Sequence, residues 1–514
     1  MIETQVLVVG GGATGVGVAR DAALRGLSVV LVERRDLAEG TTGRFHGLLH
    51  SGGRYVVKDA HAARECMDEN RVLRRIAAHC IEDTGGLFVC TPGDDTAYGE
   101  EFTAGCAAAG IPVEEIDPAE ALRREPLLHP GITRAFAVPD AAIDTWQLVG
   151  ACAQDIVRHG GSVLTYHDVV SVVVEDGRVC GARVRDTRTG AESEVRAEIT
   201  VSATGAWAGQ FAQMAGCTVH VRGGRGVMVA LNHRLTHAVI NRCRLPGDSD
   251  ILVPAHTVSV IGTTDVAIED PDDRTVPAAD VHKLLDEGSD LVPRIRDARA
   301  LRAWAGLRPL YSEHQAGADT RELTRDFTLL DHREREGVAG FLTITGGKLT
   351  TFRQMAEVTV DAVCAHLGVA AGCRTAAEVL PGGEDGHTHR VGDRLAARER
   401  NLHDEQVICE CELVTRGVLL AAAAAHPTNN LDDLRRATRL GMGPCQGGFC
   451  IPRAAGLLTE TGQMDAAAAN AAVRAFVEER WRGGWPLLER RQARQSRLDD
   501  WLLHGALDID HLPA

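Results

Sequence analysis

The chain has 514 residues, 44% of them apolar and 25% charged, a globular composition with room for two or three domains. Its formal net charge of −16 argues against a general binder of nucleic acid or of anionic membrane. No apolar run reaches bilayer-spanning length, and Met1-Ile2-Glu3-Thr4 leads straight into a predicted strand rather than a secretion leader, so the expected compartment is the cytoplasm.

Gln5-Val6-Leu7-Val8-Val9 is a continuously apolar, β-branched run, the pattern of a strand buried on both faces. Gly10-Gly11-Gly12-Ala13-Thr14-Gly15 follows and satisfies G-x-G-x-x-G. A helical pattern then runs through Val16, Val18, Ala19, Ala22, Ala23 and Leu24 and stops at Gly26. A second apolar strand, Ser28 to Val32, ends in Glu33, 18 residues beyond Gly15. Gly10 allows the tight turn, Gly12 lets backbone approach a pyrophosphate, and Gly15 lets the helix pack on the strand. The helix N-terminus faces the anion, and Glu33 is placed to accept from ribose hydroxyls. The polar, glycine-spaced loop from Arg34 through Thr41 and Thr42 to Arg44 is unlike the helix expected after an NAD-type second strand. A later strand, Glu198 to Ala203, ends in the turn Thr204-Gly205, of the kind flavoproteins bring close to the same nucleotide. There is no second G-x-G-x-x-G, so the substrate is expected to reduce the flavin directly.

Three basic, glycine-flanked segments read as parts of one pocket: Leu49-His50-Ser51-Gly52-Gly53-Arg54-Tyr55, Gly306-Leu307-Arg308 with Thr324-Arg325-Asp326, and Gly346-Gly347-Lys348-Leu349-Thr350-Thr351-Phe352-Arg353. Arg54, Arg308 and Arg325 offer planar forks suited to phosphate oxygens, and Lys348 a point charge.

A linker is expected over 371–402. Of the fourteen cysteines, four lie beyond it as Cys409-x-Cys411 and, after 33 intervening residues, Cys445-x4-Cys450. Helices are expected from Val414 to Ala425, from Leu431 to Arg439 and from Arg453. This ligand spacing suits an iron–sulfur cluster better than a zinc ribbon, whose knuckles are C-x2–4-C. The ten scattered cysteines are expected to be reduced, buried small hydrophobes. Beyond residue 458 the chain reads as helical and polar, with arginines among Trp481, Trp485 and Trp501. That end suits either a docking surface for another subunit or a helix packing its tryptophans on its own domain.

The stretches VVGGGATGVGVARDAALRGLSVVLVERRD, GRFHGLLHSGGRY, NRCRLPGDSDILVP, VIGTTD, GLRPL, ITGGKLTTFR and ICEC…RLGMGPCQGGFC span nearly the whole chain. In that order they resemble the FAD-dependent glycerol-3-phosphate dehydrogenases, most closely the catalytic subunit of the anaerobic, multi-subunit branch. The last stretch resembles the bacterioferritin-associated ferredoxin-like [2Fe-2S] module.

The resemblance implies an α/β fold. A Rossmann-type FAD-binding domain (about 1–75, 149–210 and 325–370) would interleave with an α+β, mixed-sheet substrate domain (about 76–148 and 211–324). A small helical [2Fe-2S] domain over 403–457 and a tail over 458–514 would follow. It implies oxidation of sn-glycerol 3-phosphate to dihydroxyacetone phosphate, with Arg54, Arg308 and Arg325 holding the phosphate and Lys348 beside the flavin. His50 is the candidate base. An alternative role for it is a hydrogen bond to flavin or backbone. The cofactor-binding set is Gly10, Gly12, Thr14, Gly15, Glu33, Arg34, Thr41, Thr42, Gly205, Gly347, Lys348, Leu349 and Thr350, and the cluster ligands are Cys409, Cys411, Cys445 and Cys450. The aerobic branch carries a histidine where this chain has Met228, which leaves an electrostatic part for Arg225. The implied partners are a second flavoprotein subunit, together with a membrane-associated iron–sulfur subunit that leads to quinone. Attachment would then be peripheral, at the inner face of the cell membrane. The rival readings are an amine, opine or amino-acid dehydrogenase with the same cluster module, and a non-catalytic redox sensor or carrier.

Overall fold

The structure, a computed structural model, describes residues 1–311, 326–400, 406–425, 428, 430–488 and 490–513. The elements that build the site are, in chain order, β1 (Ile2–Val9), α1 (Ala13–Leu24), β2 (Val29–Val32), β3 (Glu192–Ser202), β4 (Val221–Leu231), β5 (Ala300–Tyr311), β6 (Phe341–Gly346) and α2 (Phe352–Leu367). The C-terminal part adds α3 (Arg416–Ala425), α4 (Leu431–Thr438), α5 (Cys450–Glu460) and α6 (Ala466–Gly484).

The first sheet has eight strands. Its centre is parallel, in the order Ser162–Leu164, β2, β1, β3, β6. Val6 and Val8 point to one face and Leu7 and Val9 to the other, and all are buried, as the unbroken apolar run requires. Helices α1 and α2 cover the first face. Phe352 and Ala356 of α2 approach Gly17 so closely that a Cβ there would lie 2.9 Å from the Phe352 ring.

The second sheet has nine strands and is mixed. Its spine is the long antiparallel pair β4–β5, in which Gly224 faces Arg308 and Gly226 faces Gly306. The two sheets meet where the loop after β2 crosses β5. A Cβ on Gly306 would stand 2.2 Å from the Arg44 carbonyl oxygen, so only glycine admits that crossing.

The C-terminal helices form their own core around Leu419, Leu434, Ile451, Leu458 and Phe476. Here the boundaries differ from expectation. Val414–Thr415 is a short strand paired with Val407–Cys409, so the first helix starts at Arg416. The third helix starts at Cys450 rather than Arg453, which puts a cysteine on its first turn. The stretch before the module contains the helix Asp393–Arg400. Trp481, Trp485 and Trp501 are 46–64% exposed, so the C-terminal helices do not bury them on their own domain. Among the described residues no helix is long and apolar enough to cross a membrane. Of the ten scattered cysteines, all are free and only Cys180 and Cys373 are not buried.

Candidate active site and cluster module

The glycine turn between β1 and α1 opens onto a cavity of about 860 Å³ that runs to the β4–β5 spine. Gly10 has φ of +111°, and a Cβ on it would strike the Ala203 carbonyl oxygen at 2.6 Å. Gly15 presses on the Gly10 carbonyl oxygen, where a Cβ would stand at 1.8 Å. Thr42 Oγ1 accepts from the Ala13 N–H at 3.0 Å, pinning the following loop over the helix N-terminus. Glu33 accepts from the Gly11 N–H at 2.7 Å and the Arg35 N–H at 3.0 Å. Burial raises its carboxyl and those two amides oppose the rise. A carboxylate has lone pairs left for a further donor. Arg34 stacks over Trp207 at 4.4 Å, and both reach Asp272.

Gly10, Gly12, Thr14, Glu33, Arg34, Thr41, Thr42, Gly205, Gly347, Lys348 and Leu349 all line this cavity. Gly15 lies behind it as the strand–helix contact. Thr350 is fully buried, and its hydroxyl accepts from the His50 N–H at 3.4 Å, so it holds the site rather than lining it. Two cations that sequence reasoning passed over, Arg44 and Arg274, also line the cavity, with Glu39 and Glu479 near the first and Glu39 and Asp272 near the second. Half-buried cations beside a helix N-terminus suit an anion. Glycine cradle, helix dipole and the two guanidinium groups together fit the diphosphate of a dinucleotide.

His50, Arg54, Arg308 and Lys348 meet at the other end of the cavity. Arg54 follows Gly52, whose φ is +100° and whose Cβ would lie 2.3 Å from the Ala63 carbonyl oxygen. Its guanidinium reaches Asp250 at 3.3 Å. Arg308, on β5, pairs with Asp265 at 3.2 Å and donates to Thr263 Oγ1 and the Thr264 carbonyl. Lys348 Nζ lies 3.9 Å from Glu65 and 5.5 Å from the centre of the Tyr55 ring. Each cation is aimed by its own acid. Arg325 lies outside the described residues.

His50 accepts an Asn70 amide on its carbonyl at 3.0 Å, while its ring makes no hydrogen bond among the described residues. Burial, with His46, Arg54 and Lys348 nearby, holds its imidazole well below the usual range. His46, not singled out from sequence, lines the same wall. Burial, Arg308 and Arg54 push it down to about 3. Its Nδ1 accepts from the Leu48 N–H at 3.2 Å, so the neutral ring carries its proton on Nε2. The site thus presents two neutral imidazoles in a cationic field. Met228 lines the cavity, whereas Arg225 points from the other face of β4 into an ion pair with Asp273 at 3.0 Å. The expected electrostatic part for Arg225 therefore has no support at the cavity.

The four C-terminal cysteines meet two by two, Cys409 with Cys450 and Cys411 with Cys445. Cys445 is lowered to about 6 by Cys411 and, against burial, by the backbone N–H groups of Gly447, Phe449 and Gly448. Two thiol pairs suit two irons, each taking two thiolates, and the amides suit anionic sulfur. Gly443 lies so close that a Cβ would meet Cys411 Cβ at 2.3 Å.

The family model for "FAD dependent oxidoreductase" matches residues 5–353, and that for "BFD-like [2Fe-2S] binding domain" matches residues 407–460. The chain is 43% identical over 530 residues to the A subunit of the anaerobic glycerol-3-phosphate dehydrogenase of Escherichia coli (strain K12), covering 99% of this chain and 97% of that one. It is 44% identical over 538 residues to the A1 subunit of the enzyme of that name from Haloferax volcanii, covering 99% and 91%. Among solved structures, the glycerol-3-phosphate dehydrogenase of Bacillus halodurans complexed with FAD superposes with a TM-score of 0.67 at 21% identity, over 95% of this chain and 97% of that one. At that identity the likeness speaks for the fold. FAD and a [2Fe-2S] cluster are the cofactors of the two domains.

Proposed function

The chain belongs to the FAD-dependent oxidoreductase family, and within it to the anaerobic glycerol-3-phosphate dehydrogenase A subunits; from that premise we propose that it oxidises sn-glycerol 3-phosphate to dihydroxyacetone phosphate. The observation that carries the reading is the convergence of Arg54 and Lys348 on neutral His50, and of Arg54 and Arg308 on neutral His46 beside it, in the cavity that begins at the glycine turn. Arg54 and Arg308 present forks to the substrate phosphate, held in place by Asp250 and Asp265. Arg325 is proposed as a third phosphate ligand. His50 takes the C2 hydroxyl proton, a task for which the neutral imidazole is the competent form. Lys348 steadies the negative charge left on that oxygen. FAD, when bound, supplies the two-electron acceptor, and Gly10, Gly12, Thr14, Thr42 and Glu33 hold its nucleotide half. Cys409, Cys411, Cys445 and Cys450 hold the one-electron relay. Onward transfer to quinone, through a second flavoprotein subunit, then a membrane-associated iron–sulfur subunit, is part of the same proposal.

Turnover of purified, cofactor-loaded protein with a soluble dye acceptor tests the substrate. Glycerol 3-phosphate is expected to support turnover, and glycerol, glycine and proline are not. Turnover with an amino acid in preference to glycerol 3-phosphate would replace this reading with the amine or amino-acid dehydrogenase one. That class needs a single carboxylate-binding arginine rather than this cationic set.

A further inference from the structure

The C-terminal end carries an aromatic and cationic surface that the flavin site does not use. From Arg480 to Trp501 it has six arginines against three acids, Glu489, Asp499 and Asp500, in a chain of net charge −16. Trp481 and Trp485 are exposed at the end of α6, and their rings meet edge-on at 5.7 Å. A further helix, α7 (Arg490–Asp500), turns Arg494, Arg497 and Leu498 to one side, and Trp501 continues that row. All four are exposed, Leu498 at 52%. The opposite side of α7 is polar, with Gln492 buried and Ser496 and Asp499 half-buried. The one large apolar side chain of α7 thus points outward, the reverse of a helix packed on its own core.

The acids nearby are already engaged. Asp499 is taken by Arg480 at 2.5 Å, Glu479 by Arg302 and Arg482, and Asp500 lies 3.6 Å from His504. Arg491 donates to the Asp297 carbonyl at 3.2 Å. Arg494 and Arg497 have no acidic partner among the described residues.

The surface also lies close to the cluster. Phe476 of α6 packs on the cluster loop, where a Cβ on Gly447 would lie 2.7 Å from its ring. Trp481 follows five residues later, about 7.5 Å further along the helix axis. Exposed tryptophan and arginine are the side chains that anchor protein interfaces, and guanidinium forks match carboxylates. A helix lying on a bilayer separates its apolar face from its cations, whereas on α7 the two are interleaved.

We propose that this face docks a protein electron acceptor whose own surface is acidic, and so brings it against the cluster that it oxidises. Each encounter passes one electron from the reduced cluster to the acceptor. The inference rests on the export of electrons from the cluster, and it adds where the acceptor binds and with what charge.

The test uses the FAD- and cluster-loaded full chain, reduced with dithionite and freed of excess reductant, so its outcome does not depend on the substrate. Stopped-flow mixing with the acidic carrier cytochrome b5, the basic carrier cytochrome c and ferricyanide follows cluster oxidation. The rate with cytochrome b5 should fall as salt rises, and should drop roughly tenfold in R494E/R497E and in W481S/W485S. The rate with cytochrome c should rise in R494E/R497E, and that with ferricyanide should stay native in both variants. Unchanged cytochrome b5 rates in the variants overturn the proposal. So does a native dimer that the variants split, which makes this a face between two copies. Loss of binding to phosphatidylglycerol vesicles with the cytochrome b5 rate retained makes it a membrane face and overturns the proposal as well.

Discussion

Thr257 Oγ1, on a turn of the substrate sheet, donates a 2.8 Å hydrogen bond to Glu412, the residue after the cluster ligand Cys411. Glu412 is almost wholly buried and also pairs with Arg439 at 3.0 Å and Arg394 at 3.6 Å, while Arg439 reaches on to Asp144 of the flavoprotein domain. The Glu412 carboxylate is thus one anchor of the cluster loop on the flavoprotein, beside Arg299, which donates to the Pro444 carbonyl at 2.9 Å, and the Arg436–Asp36 pair at 2.7 Å.

Breaking a buried network of this kind costs roughly 3–5 kcal/mol. E412Q is expected to loosen the docked module while leaving flavin content unchanged. Its rate of flavin reduction by substrate should match the native rate, and its transfer to the cluster should slow. Stopped-flow absorbance separates the two, and equal slowing of both steps would contradict the anchoring role.

R308A removes a fork that Asp265 and Thr263 hold in the cavity. A charge-assisted hydrogen bond contributes about 1.5–3 kcal/mol, so KM for glycerol 3-phosphate should rise roughly ten- to hundredfold. Flavin occupancy, read by absorbance, should stay near native. Equal loss of substrate affinity and flavin would move Arg308 out of the substrate site.

His50 has an uncommitted ring and is held neutral. Loss of a general base costs typically 10²–10⁴-fold. H50Q should therefore lose about that much in flavin reduction rate, with little change in substrate Kd measured by flavin perturbation. A rate within threefold of native would assign His50 a binding role instead.

His46 gives a pH dependence of definite sign. Its folded-state value, about 3, lies below the unfolded value near 6.5. Between those values the unfolded chain binds a proton that the folded chain does not. Its contribution is intact above pH 6.5 and falls by about 1.4 kcal/mol per unit of acidification below it. Chemical denaturation of native protein and H46N should show the native stability falling relative to the variant by about 2 kcal/mol between pH 6.5 and 5. A pH-independent difference would contradict the depressed value.

The nucleotide end was legible from local pattern because each glycine there answers a local need: Gly10 for its turn, Gly15 for its helix contact. The four cluster cysteines were legible for the same reason, since spacing alone limits what they can bind. The cations were legible as types but not as a geometry. Asp250, Asp265 and Glu65, which aim Arg54, Arg308 and Lys348, come from other parts of the chain, and nothing in sequence joins them. His46 lies in the stretch GRFHGLLHSGGRY, four residues before His50, but only burial distinguishes it. Arg225 sits on the same strand as Met228, and side-chain alternation in β4 sends the two to opposite faces.

Anaerobic mixing of FAD- and cluster-loaded protein with glycerol 3-phosphate, followed at flavin and cluster wavelengths, tests the central claim most directly. The account predicts flavin bleaching with glycerol 3-phosphate and not with glycerol, followed by cluster reduction that C445S abolishes while its flavin still bleaches. Flavin that stays oxidised in FAD-replete protein would contradict it.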